Sequence, residues 1–181
     1  MSDKYPQYSN KEQEKNKPKT EEMINEIIGG ERKIQALHFI AWLRENKLSP
    51  SWNSTNKWRV NYKGKVICYI YVSGCRELDE YEFGSWSIRP AYYENILGKA
   101  NDESFDEWLK ENTWKGVGKC RKCNNTCPPD GHSSVIYGKA FDWICGIWMK
   151  LVNPEDWEIE QVKKQILLIK ESIAEMAANK I

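Results

Sequence analysis

Residues 57–72 (KWRVNYKGKVICYIYV) constrain the fold more than any other stretch of the chain. Trp58, Val60 and Tyr62 alternate with Arg59, Asn61 and Lys63, the period-two pattern of a half-buried strand. Lys63-Gly64 supplies a tight turn. Lys65–Val72 then returns as a run that is apolar on both faces and rich in β-branched and aromatic side chains, as a central strand is. The pair reads as a β-hairpin. Residues 85–89 (SWSIR) predict a third strand, ended by Pro90.

The remainder reads as helix and loop. Residues 1–19 are polar and nearly free of aliphatic side chains, so they are expected to form a disordered tail. Residues 20–181 are then a single domain. Thr20 is expected to cap a helix carrying Met23, Ile24, Ile27 and Ile28, stopped by Gly29-Gly30. A second helix is predicted over 31–46, burying Ile34, Leu37, Ile40, Ala41 and Leu43. A short helix over 91–97 and one capped by Asp102 follow. Residues 139–152 place Phe141, Ile144, Cys145, Trp148, Leu151 and Val152 on one helical face. Asn153-Pro154 with acids behind it opens a long C-terminal helix, 154–178. Its apolar residues Ile159, Val162, Ile166, Ile169, Ile173 and Met176 form a heptad seam, expected to pack on the domain, with a homodimer through this helix as the alternative. The fold class is therefore α+β: a small antiparallel sheet around the 57–72 hairpin, N-terminal helices and a helical C-terminal half.

Function classes narrow next. A chain of 181 residues is long enough to bury a core without disulfide help. Its formal charge of +1 generates no global field toward nucleic acid or anionic membrane. With no apolar run of signal-peptide or membrane-span length, the expected location is cytoplasmic, where thiols stay reduced. Six cysteines there favour metal binding or redox chemistry over a disulfide framework. No P-loop, nucleophile elbow or histidine pair is present, and only His38 and His132 are available as imidazole bases, so the reading leans against an enzyme.

The segment 119–145 holds the chemistry-bearing residues. Zinc takes about four thiolate or imidazole ligands, and a C-x2-C knuckle provides two of them from one short loop. Cys120 and Cys123 form such a knuckle, Cys127 is the third candidate ligand, and Cys145 or alternatively His132 completes the set. An iron–sulfur cluster is the rival, because Cys120, Cys123 and Cys127-Pro128 match the end of a ferredoxin run whose first cysteine is replaced by Val117. Thiol redox chemistry at Cys120/Cys123, with Lys119, Arg121 and Lys122 favouring the thiolate, ranks third. Cys68, inside the central strand, reads as a small buried hydrophobe.

Nine tryptophans and nine tyrosines offer material for a binding surface. Trp58, Tyr62, Tyr69, Tyr71 and Trp86 are expected to wall a pocket for an unknown small molecule, with Glu80 from the acidic 77–82 stretch available to a cationic group. Lys115, Lys119, Arg121, Lys122 and Lys139 beside Trp114 form a basic patch, which makes nucleic acid the alternative partner. The set Trp58…Tyr62-Lys63-Gly64-Lys65…Ile67-Cys68, Trp86-Ser87-Ile88, Cys120-x2-Cys123-x3-Cys127-Pro128, Gly138-Lys139-x-Phe141-x3-Cys145 and Asn153-Pro154 resembles a group of small uncharacterised bacterial proteins over about residues 30–170. That resemblance implies no catalytic residue. More loosely, the element order is similar to small α+β ligand-binding domains, including effector-binding ones, a likeness of fold alone.

Overall fold

The structure, a computed structural model, describes residues 10–72, 84–120 and 132–178. It is an α+β fold with two antiparallel sheets. The first has five strands, β1 (Pro50–Ser54), β2 (Lys57–Tyr62), β3 (Lys65–Val72), β4 (Trp86–Pro90) and β8 (Leu151–Val152), in that spatial order. The second has three, β5 (Val117–Lys119), β7 (Lys139–Ile147) and β6 (His132–Ile136), with β7 central. Helices α1 (Asn10–Asn16), α2 (Thr20–Ile27), α3 (Gly30–Glu45), α4 (Glu103–Lys115) and α5 (Asp156–Ala178) complete the chain. No helix among the described residues is long and apolar enough to cross a membrane.

The 57–72 hairpin is the centre of the larger sheet. Cross-strand partners point to the same side of a sheet, so the pairs Trp58↔Ile70, Val60↔Cys68 and Ile70↔Ile88 define one face. These residues, with Val72 and Trp86, are at most 1% exposed. Helices α2 and α5 pack against β3, and α3 against α2. The heptad seam of α5 is consumed here: Ile159, Val162, Ile166, Ile169 and Ile173 are buried within the chain itself, while Met176 stays exposed. On α3 the buried side is Ala36, Phe39, Ile40 and Leu43; Ile34 and Ala41, expected inside, face outward.

Three expectations need correction. Residues 10–16 belong to α1, not to a disordered tail, because the Gln13 amide pairs twice with Asn56 in the β1–β2 turn (2.6 and 2.9 Å). The buried Trp58 indole also donates to the Pro18 carbonyl at 2.9 Å. Second, residues 139–147 are strand, so the C-terminal half is not wholly helical. Tyr137-Gly138, both at positive φ, make the two-residue turn that a hairpin prefers and a helix does not. Third, Asn153 does not cap α5. Its amide oxygen and backbone N–H instead engage the backbone of Trp86, and the helix begins at Asp156, with Glu158 accepting from the Glu155 N–H. Thr20 likewise opens α2 without capping it, since the Glu22 carboxylate accepts from the Lys19 N–H. Asp102 does cap α4, accepting from the Phe105 N–H at 3.2 Å.

The small sheet docks through side chains of its own hairpin. Tyr137 donates its hydroxyl to the Tyr93 carbonyl at 2.9 Å, and Trp114 donates its indole N–H to the Ile136 carbonyl at 2.7 Å. Trp148, just after β7, bonds through its backbone N–H to the Gly116 carbonyl. Its indole lies on the cross-strand pair Gly118↔Gly146, where a Cβ on Gly118 would overlap the ring. Glycine at both positions gives the indole a flat floor.

Candidate functional site

The cysteine segment hangs from the small sheet. Lys119 and His132, the described residues nearest either end of this segment that pair in the sheet, both pair with Ile144, one from each side of β7. Cys145 follows that residue directly and is the extra residue of a bulge between Gly118↔Gly146 and Lys119↔Ile144. The Cys120 N–H bonds the Trp143 carbonyl at 2.5 Å. Backbone topology thus brings Cys120, His132 and Cys145 to one end of one small sheet. Cys145, expected on the apolar face of a helix, is exposed on a strand, and Cys120 is half-buried. Cys123 and Cys127 lie outside the described residues, as does Glu80. Among the described residues, no group of three or more His, Cys, Asp or Glu side chains is placed to hold a metal. Cys68 is fully buried, and burial pushes its thiol pKa far up, so it stays a neutral thiol.

The five aromatics expected to line one pocket are divided among three places. Trp58 and Trp86 are in the core, the latter 5.9 Å from the Phe39 ring. Tyr62 turns toward α5, with the Lys170 ammonium 5.4 Å from its ring centre. Tyr69 and Tyr71 occupy the face of the large sheet opposite Trp58 and Trp86. That outer face carries two cross-strand rows, Lys57–Tyr71–Ser87, in which Tyr71 and Ser87 are fully buried, and Arg59–Tyr69–Arg89, in which Arg59 is exposed and the other two half-buried.

Cations and rings alternate across it. The Lys57 ammonium lies 4.7 Å from the Tyr69 ring centre and 5.4 Å from that of Tyr71. The Arg89 guanidinium lies 6.0 Å from Tyr69 and 5.6 Å from Trp148. The ladder Lys57–Tyr69–Arg89–Trp148 therefore runs from β2 to the glycine floor of the small sheet and spans both sheets. Each ring presents a negative face that lowers the repulsion between the cations beside it. Trp148 is 42% exposed, so one end of the ladder meets solvent.

Sequence reasoning singled out Tyr69 and Tyr71 but missed Lys57, Arg59, Arg89 and Trp148. The alternation of Arg59 with Trp58 and Val60 carried the signal for one of them.

Two other surfaces compete. Lys139 sits 4.9 Å from the Trp114 ring centre and 5.3 Å from that of Phe141, on the strand that also carries exposed Trp143. An open groove of about 440 Å³ between α3 and the start of α5 is lined by His38, Trp157 and Glu160, among others. Its polar groups largely satisfy one another: Gln35 donates to Asp156 at 2.9 Å, and Lys163 pairs with Glu160 at 2.7 Å. Comparison with protein-family models, with curated proteins and with solved structures finds no match to this chain.

Proposed function

We propose that the protein is a non-catalytic binding module for a small anionic molecule, taken up on the outer face of the five-stranded sheet. In this reading the small sheet is braced by a zinc ion on Cys120, Cys123, Cys127 and Cys145, with His132 as the alternative fourth ligand. The observation that carries it is the Lys57–Tyr69–Arg89–Trp148 ladder, which concentrates positive charge on a face otherwise lined by aromatic rings. A structural zinc suits the small sheet, because one longer strand flanked by two short ones, all with largely exposed faces, buries too little apolar surface to be stable alone.

The test is a thermal-shift panel of small anionic, neutral and cationic compounds, with metal content measured on the same preparation. Anions are expected to raise Tm in the native chain and not in Tyr69→Ser or Arg89→Ser. Stabilisation by neutral or cationic compounds that depends on these same residues overturns the ligand reading. One zinc per chain is expected, lost together with Tm in a Cys120→Ser/Cys145→Ser chain. Absorbance near 400 nm in an anaerobic preparation would assign an iron–sulfur cluster instead.

A second reading, a zinc-supported nucleic-acid module, is favoured by Lys139 over Trp114 and Phe141, on the strand that also carries exposed Trp143. It requires oligonucleotide affinity that falls steeply with salt.

A further inference from the structure

We infer that the anion recognised on the outer sheet face is a phosphate group, held between Arg59 and Arg89; this inference rests on the ligand-binding reading above. Arg59 and Arg89 are both direct cross-strand partners of Tyr69, one on β2 and one on β4. Their Cα atoms are therefore about 10 Å apart, two strand spacings, a gap that two arginine side chains can close around a ligand seated between them; the cations that lie over the Tyr69 ring itself are Lys57 and Arg89. Arg59 is exposed and Arg89 half-buried, and neither makes an ion pair among the described residues. No Asp or Glu occurs in the two cross-strand rows that make up this face. Two guanidinium groups on one sheet face without a carboxylate between them repel, and an anion removes that repulsion.

Oxygen count selects the anion. One arginine fork already saturates both oxygens of a carboxylate, whereas two forks approaching from opposite sides need the three or four oxygens of a tetrahedral phosphate. A further donor stands alongside. Ser87, two residues before Arg89 on the same face, is fully buried and its Oγ has no hydrogen-bond partner. The Tyr71 hydroxyl, 3.5 Å from an Arg89 Nη, lies in the same row as Ser87. On the Arg89 side, these hydroxyls add donors of the kind a phosphate requires.

The experiment is calorimetric titration of the full chain, at low salt, with inorganic phosphate, a nucleoside monophosphate and citrate. Phosphate and the monophosphate are expected to bind, at least tenfold more weakly in Arg59→Gln and in Arg89→Gln and unchanged in Lys115→Gln. Arg89→Lys, which keeps the charge but loses the fork, is expected to weaken binding as well. Arg59 is exposed, so its variant keeps the test valid if Arg89 variants fail to fold. Tighter binding of the monophosphate than of phosphate supports an ester as the source; equal binding supports free phosphate. Citrate binding as tightly, with the same dependence on both arginines, overturns phosphate selectivity while leaving the anion-binding reading standing. No anion binding, or binding indifferent to both arginines, overturns the inference and that reading together.

Discussion

Trp58 and Trp86 form a matched pair that tests the polar accounting of the core. Both indoles are at most 1% exposed on the same sheet face. The Trp58 N–H is satisfied by the Pro18 carbonyl, whereas the Trp86 N–H is buried without a partner. Replacing either by Phe contracts the side chain at a comparably buried site, a shared loss of about 2 kcal/mol. Trp58→Phe additionally removes a hydrogen bond with a net value of about 1 kcal/mol, giving a loss of about 3 kcal/mol. Trp86→Phe instead deletes an unsatisfied donor whose desolvation costs about 1–3 kcal/mol, which offsets most of the contraction. The two variants should therefore differ by about 3 kcal/mol although the atoms removed are the same. In a chain of this size that is about 6–12 °C in Tm. Urea denaturation at neutral pH, with equal m-values as a check on two-state behaviour, measures the difference directly. Equal losses, or a greater loss for Trp86→Phe, would falsify the assignment of an orphaned N–H to Trp86.

Three further outcomes are expected. The Lys164 ammonium, then Ser104 and the Phe105 N–H, hold the Asp102 carboxyl well below the usual carboxylate range. The stability this contributes is complete above the unfolded aspartate pKa, near 4, and is lost as pH falls toward the folded value. The Tm gap between native chain and Asp102→Asn should accordingly close between about pH 5 and pH 2; a gap independent of pH sinks the assignment. Burial, with smaller contributions from Tyr92, Glu94 and Asp106, pushes the Tyr137 phenol above its ordinary value. Stability should therefore decline as pH rises past about 10. Tyr137→Phe should cost about 1 kcal/mol at pH 7 through its lost bond to the Tyr93 carbonyl, and should remove part of the alkaline decline seen in denaturation curves. Gly118→Val drives a side chain into the Trp148 ring and should cost about 1–3 kcal/mol; full stability with an unchanged near-ultraviolet circular dichroism spectrum would show that Trp148 is not seated there.

The hairpin, the four helices other than α1, and the burial of Cys68 were legible because each rests on periodicity or on a local cap. The elements that sequence missed have different causes. One Gln–Asn pair orders α1, and nothing in a Lys/Glu-rich run announces it. The misreading of 139–147 has a specific cause. Two bulges in β7, at Cys145 and between Phe141 and Ile144, each add a residue to one strand. The half-buried residues Phe141, Ile144 and Ile147 consequently recur every three positions, which imitates one face of a helix.

A bulge also hid the candidate site. With Lys63-Gly64 as a two-residue turn and a regular ladder, Tyr62 faces Lys65 and Arg59 falls opposite Cys68, across from a core residue. In the structure Asn61 pairs with Val66 but Val60 with Cys68, so Ile67 is the extra residue and Arg59 moves opposite Tyr69. That slip of one residue is what aligns Arg59, Tyr69 and Arg89 in a single row. It also places Tyr69 and Tyr71 on the sheet face opposite Trp58, Tyr69 half-buried and Tyr71 fully buried, so aromatics that look like one pocket in the sequence are divided between two faces. Deleting Ile67 removes the extra residue and leaves Asn61↔Val66, Val60↔Cys68 and Arg59↔Tyr69 as one regular ladder, so the Arg59–Tyr69–Arg89 row should be kept. Such a chain should therefore retain more anion binding than Arg59→Gln does, and an equal loss of binding in calorimetric titration would show that the aligned row does not make the site.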